Sequence, residues 1–312
     1  MSTETQEKTR LRNEALFEKL SSRDPVLEKE AVDAVNDFTR TKMREDGFFR
    51  RIIPPVQLTN DELDRMVHTD KPCKIVDKEP DSPAAVSLPF GSLPVNIYIR
   101  GLRYPVMLDR IVTPRFTKDV DELRTYVMDI RQVLSDNAIK DLLAEEDTKF
   151  LVAVNAALIG ANSVMPTSGV AQWRNIAGGI NRDSLWDMMK IMPSTPSCLE
   201  VHTCLLNNIT IKEVAKFRRD EMGGDMSQDV MKNGWSEQNF MGVRWIVTIK
   251  KTIVATNDVY MFADPKFVGK HFELESTAMY IRREAYLLEF FAYETNGGAI
   301  GHTSGLAKTT FV

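Results

Sequence analysis

The run Gly297-Gly298-Ala299-Ile300-Gly301 is the segment best suited to wrapping a phosphate. A nucleotide loop of that kind needs a strand before it and a helix after it, and too few residues follow for a βαβ unit. No G-x-x-x-x-G-K-[ST] motif occurs, so the run reads as a glycine-rich turn. Cys198, His202 and Cys204 lie close enough to suggest a metal site. Zinc usually takes four ligands, often from paired C-x2-C units, and no second pair completes the set. Buried thiols beside a strand histidine are the stronger reading. None of His68, His202, His271 and His302 sits in a triad context, and no G-x-S-x-G is present. Carboxylate pairs form in space rather than in sequence, so acid–base chemistry stays open. Most Asp and Glu residues, however, have Lys or Arg at i+3 or i+4, as solvated helix faces do. No catalytic, cofactor-binding or metal residues are expected.

Composition agrees with this chemical quietness. The 312 residues are 43% hydrophobic and 27% charged with net charge −4, which excludes a mostly disordered chain and gives no general attraction to nucleic acid or anionic membrane. Three cysteines cannot make a disulfide framework. No apolar run reaches the ~18–20 residues of a membrane span, and the polar start Met-Ser-Thr-Glu-Thr is no secretory signal.

Residues 1–50 carry ten Lys/Arg and eleven Asp/Glu around thin helical stripes at Leu11, Ala15, Leu16, Leu20, then Val32, Val35, Phe38. Two helices parted near Pro25 fit, either resting on the main body or reaching another subunit. Nine of the fourteen prolines fall in 47–117, which predicts loops and edges. Within it, Thr59-Asn-Asp-Glu62 opens a short helix and Val95–Ile99 alternates as a strand. A long extended excursion of this kind suggests stabilisation from outside its own core. Asp119 and Glu122 open a helix to Glu146, roughly 40 Å long. A second, more apolar helix spans Thr148–Ile159 and ends at Gly160. Further expectations are a helix at Asp183–Met192, a strand at Leu199–Leu205, and a capping box at Thr210–Glu213 opening another helix. Strands at Val243–Ile249 and Val259–Ala263 follow. Residues 271–293 fit either a helix or a long aromatic-rich strand. Met-rich clusters at Met188/Met189/Met192 and Met222/Met226/Met231 fill core or form a deformable contact surface.

The order of these parts resembles the major capsid protein of tailed bacteriophages, with the Hong Kong 97-like fold. The resemblance rests on the charged arm, the proline-rich extended region and the long helix in that order. It is supported by Leu199–Leu206 with the helix ending in Gly223-Gly224, by Met241-Gly242-Val243-Arg244-Trp245, and by Val259–Val268. Glu273–Glu294 resembles the long peripheral strand, which favours strand at 271–293, and Gly298-Ala-Ile300 resembles the return strand.

The resemblance implies an α+β fold with an arm (1–50), an extended loop region (51–117) and a peripheral domain with a spine helix (118–198, completed by 265–295). An axial domain follows (199–264, completed by 296–312). It implies a non-enzymatic shell protein assembling with itself as pentamers and hexamers around double-stranded DNA, without sequence-specific binding, membrane contact or cofactor. Portal and scaffold or decoration proteins would be its partners. Its place would be the virion capsid, assembled in the host bacterial cytoplasm.

Assembly contacts are expected at Phe48, Phe49, Arg50, Arg51, Phe90, Met226 and Met231. The first four could equally be an ordinary core-edge anchor. Lys71, Lys74 and Lys78 lie in the extended loop, but no motif supports an inter-subunit crosslink. An encapsulin-like compartment shell is the nearest alternative. A cytosolic enzyme using carboxylates in 161–260 is the more distant one.

Overall fold

The computed structural model describes residues 47–66, 69–78, 101–119, 121–122, 130–164, 172–214, 237–240 and 242–312, with single positions in 7–30 and most of 85–98. Helix α1 (Phe48–Ile52) leads into three sheets. The five-stranded sheet runs β1 (Pro55–Gln57), β12 (Gly269–Glu284), β13 (Leu287–Ile300), β5 (Asp109–Val112), with β6 (Phe116–Asp119) also on β13. A small sheet joins β2 (Asp64–Arg65), β3 (Pro72–Lys78) and β4 (Leu102–Met107). The six-stranded sheet runs β7 (Trp173–Ile176), β14 (Leu306–Phe311), β11 (Asp258–Phe262), β8 (Thr203–Asn207), β10 (Val243–Thr248), β9 (Glu237–Phe240). Helices α3 (Arg182–Met189), α4 (Thr210–Val214) and α5 (Pro265–Val268) sit between strands, and α2 (Ile130–Val164) is the long one.

Helix α2 does not break at 146–148 as the sequence suggested, nor stop at Gly160. Its 35 residues span about 50 Å. The reason is a continuous buried stripe at three- and four-residue steps: Ile139, Leu142, Leu143, Glu146, Asp147, Phe150, Leu151, Val154, Leu158. Tertiary packing of that stripe overrides the local polarity at the middle. The first half lies near β5 and β13, and the second half enters the main core beneath the six-stranded sheet.

Residues 271–293 are strand, but as two strands rather than one. β12 and β13 form an antiparallel hairpin turning at Ala285-Tyr286, with Ala285 at φ +54. Gly297 and Gly298 are therefore not in a turn. They lie within β13, paired with Phe272 and His271, where the Met107 carbonyl and the Phe49 ring approach so closely that a Cβ would collide with each. The return strand is β14, not Gly298–Ile300.

Strand β8 starts at Thr203 rather than Leu199 and is buried at all five positions. It lies between β11 and a parallel β10, and burial at successive positions means that both of its faces are covered too, so alternation is lost. The expected helix at Thr59–Glu62 is a single 3-10 turn, with the Glu62 carboxylate accepting the Thr59 N–H at 3.3 Å, before β2 begins at Asp64. The Thr210 hydroxyl accepts the Asn257 N–H at 3.0 Å, tying α4 to the loop before β11. Asn96 and Tyr98, the described positions of the expected strand Val95–Ile99, are not in a strand.

Candidate functional site

Helix α1 is inserted between α2 and the hairpin. Phe48, Phe49, Ile52 and Ile53 all belong to the main core. The Phe49 ring stacks on Phe150 (centroids 4.4 Å, 24°) and lies 4.2 Å from the His271 ring. Its backbone N–H donates to Asp147 Oδ1 at 3.0 Å, and the other Asp147 oxygen takes Lys250 Nζ at 2.5 Å. Burial raises the Asp147 pKa against the opposing pull of Lys250 and the Phe49 N–H.

Beside this lies a buried charge node. Arg50 Nε donates to both Glu146 oxygens (3.0 and 3.2 Å), and its other nitrogens face Glu294 Oε2 at 3.1 Å and Glu273 Oε1 at 3.7 Å. Asn296 Nδ2 donates at 3.1 Å to Glu146 Oε1 and also to Glu294 Oε1. Thr277 Oγ1 donates to Glu294 Oε2 at 3.1 Å, and Gln57 Nε2 to Glu273 Oε2 at 2.5 Å. His271 is fully buried with Nε2 3.3 Å from Glu146 Oε1, and neither ring nitrogen has a well-aligned hydrogen bond among the described residues.

Burial opposes the charge on Arg50, but the carboxylates of Glu146, Glu294 and Glu273 more than offset it and raise its pKa. Burial likewise opposes ionisation of Glu146, yet the neighbouring His271 and Arg50 hold it below the usual carboxylate range. Glu294 is pushed up to about 7 by burial, with the charge of Glu146 adding to it. These carboxylates escaped sequence reading because they were assigned to solvated faces. The signal was present: Glu146 and Asp147 sit four residues after Leu142/Leu143 and four before Phe150/Leu151.

Hydrolytic chemistry finds no support in the one serine–histidine approach among the hydrogen bonds described. Ser197 Oγ lies 3.4 Å from His302 Nε2, while His302 Nδ1 accepts the Ser304 N–H at 3.1 Å. Accepting at Nδ1 places the neutral ring's proton on Nε2, so that nitrogen donates to Ser197 and cannot take its proton. Cys204 is buried, with burial raising its thiol pKa, whereas Cys198 is exposed. No group of three His, Cys, Asp or Glu among the described residues could hold a metal. No described helix is long and apolar enough to cross a membrane.

The residues expected at assembly contacts therefore separate. Phe48 and Phe49 are buried and Arg50 is paired inside their own subunit. The Arg51 carbonyl accepts from Arg244 Nη1 at 3.3 Å. Met226 and Met231 lie outside the described residues. Phe90 points outward: it is 110% exposed and Leu93 90%, on a turn in which the Ser92 N–H donates to Pro89 O at 3.1 Å with Gly91 at φ +88. Elsewhere an apolar groove of about 640 Å³ opens between α2 and the ends of β4 and β13, lined by Pro105, Met107, Ile111, Val152, Ala153 and Ala156 among others.

No family model and no curated protein matches the sequence. Solved structures match the fold. A chain of the mature capsid of bacteriophage PhiM1 superposes with TM-score 0.57 at 8% identity, covering 86% of this chain and 87% of that one. A chain from Mycobacterium phage Bobi gives 0.57 at 9% identity over 86% and 91%, respectively. A virus-like particle from Pyrococcus furiosus gives 0.54 at 11% identity over 90% and 99%. The likeness covers most of this chain and of each matched one, and this chain has the Hong Kong 97-like α+β fold.

Proposed function

We propose that this protein is a major capsid protein, which self-assembles through pentamers and hexamers into an icosahedral shell around double-stranded DNA. The observation that carries the reading is near-complete coverage by a fold found in phage capsids, with the long helix and both of its sheets present. The apolar Phe90–Leu93 turn fits the same role. Two large apolar side chains held out by a turn are a liability on a monomer and an anchor in an assembly. The turn of one copy would seat in the apolar groove beside α2 of the next. A patch that meets a different patch is a heterologous contact, the kind that closes rings.

Portal, scaffold and decoration proteins would be its partners, the virion capsid its place, and the host bacterial cytoplasm its site of assembly. The net charge of −4 suits a wall that holds DNA loosely.

Size-exclusion chromatography followed by electron microscopy of the full chain tests this reading. Closed megadalton particles are expected, and a discrete monomer or dimer under all assembly conditions overturns it. Truncation of residues 1–45 is expected to leave a soluble subunit that fails to close particles. Similarity to the Pyrococcus particle keeps one alternative, a protein-holding compartment. Nuclease-protected DNA in particles purified from infected cells supports the capsid, and protein cargo supports the alternative.

A further inference from the structure

We propose that the Arg50 node holds an extra proton in the folded subunit at neutral pH, and that releasing it above neutrality weakens the junction of α1 with the β12–β13 hairpin. The inference concerns the subunit's own interior and does not depend on the shell reading.

Geometry carries it. Three buried carboxylates, Glu146, Glu273 and Glu294, converge on a single guanidinium, Arg50. If all three ionise while His271 stays neutral, the node keeps an unbalanced charge of two in a largely buried region, which proteins avoid by protonating a group. Glu146 and Glu294 are also immediate neighbours, because one nitrogen, Asn296 Nδ2, reaches an oxygen of each at 3.1 Å. Adjacent carboxylates raise one another's proton affinity, and the pair titrates as a unit.

Glu294 is the natural holder. Both Glu294 and Glu146 are buried, but Arg50 meets only one oxygen of Glu294, whose Oε1 faces the neutral Asn296 amide, whereas both oxygens of Glu146 are engaged by Arg50 Nε. The groups facing Glu294 are Arg50 from α1, Glu146 from α2, Glu273 and Thr277 from β12, and Asn296 from β13 itself, with His271 of β12 beyond them at Glu146 Oε1. The Asp147–Lys250 pair lies one residue further along α2, and β5 contributes Arg110, which faces outward to Glu275. Lys250 is occupied by Asp147, so Arg50 is the cation within ion-pair distance of Glu294 among the described residues. The elevation of Glu294 to about 7 agrees with this count.

The sign follows from linkage. A carboxyl whose pKa is higher folded than unfolded binds its proton more tightly in the native state. Its stabilising contribution is full below the unfolded pKa of ~4.3, and it is lost as pH rises through about 7. Denaturant unfolding of the full chain, run at fixed protein concentration from pH 5 to 8.5, reads this out when compared with Glu294→Gln. The unfolding equilibrium constant of the natural protein, divided by that of the variant, should climb up to ~tenfold per pH unit and level off above about 7.5. A ratio that does not change with pH overturns the proposal.

Should the Gln variant fail to fold, Thr277→Val serves. The Thr277 hydroxyl donates to Glu294 Oε2 and so favours its ionised form. Its removal is expected to move the stability inflection to higher pH, and an unmoved inflection places the proton elsewhere and overturns the assignment.

Discussion

Arg50 grips Glu146 across a sequence separation of 96 residues, its Nε 3.0 Å from one carboxylate oxygen and 3.2 Å from the other. Helix α1 is thereby fastened to the middle of the long helix. Arg50→Ala leaves three carboxylates buried without their cation. We expect a loss of about 3–5 kcal/mol in denaturant unfolding at pH 7.5. A loss under about 1 kcal/mol would show that the node contributes little to holding the subunit together.

Gly298 faces Phe49 so closely that an added Cβ would lie 2.9 Å from the ring's Cζ. Gly298→Ala should cost about 1–3 kcal/mol by overpacking. Combining it with Phe49→Leu should recover part of that loss beyond additivity, as contacting residues do. Strict additivity in the double-mutant cycle would separate the two residues energetically.

Phe90→Asp with Leu93→Asp alters side chains that are almost wholly exposed in the subunit. Subunit stability should stay within ~0.5 kcal/mol, as for most surface changes. Particle yield by sedimentation should fall at least tenfold. Normal particles from this variant would remove the turn from the assembly contacts.

Thiol accessibility checks the placement of the core. Cys198 is exposed, while Cys73 and Cys204 are 1% and 0% exposed. One thiol should react quickly with an aromatic disulfide reagent in the native state, and two only after denaturant is added. Three fast thiols would contradict the packing of β3 and β8.

Much of the architecture was readable from pattern. The strands around Trp245 and Tyr260 announced themselves by period-two alternation or apolar runs, and the helix carrying Leu185 by its spacing. What failed did so for reasons that lie across the fold. Glu146-Asp147 looked like a helix end because local polarity hides a partner 96 residues away. Gly297-Gly298 looked like a turn because a glycine demanded by a neighbour's ring is indistinguishable, in sequence, from one demanded by backbone angle. Strand β8 lost its alternation because neighbours on both sides and both faces bury it. The charge node was the least legible part, since its members come from α1, α2, β12 and β13 and share no local motif.

The position of α1 also has a mechanical consequence. The chain passes through Phe49 and Arg50, which are held at once by a stacked ring, a backbone hydrogen bond to Asp147 and a forked ion pair. A pull on the chain at Gly47 loads these contacts in parallel, so they must rupture together instead of peeling one by one. Tension applied there would pass directly into the middle of the 35-residue helix, which bears it as a rigid strut.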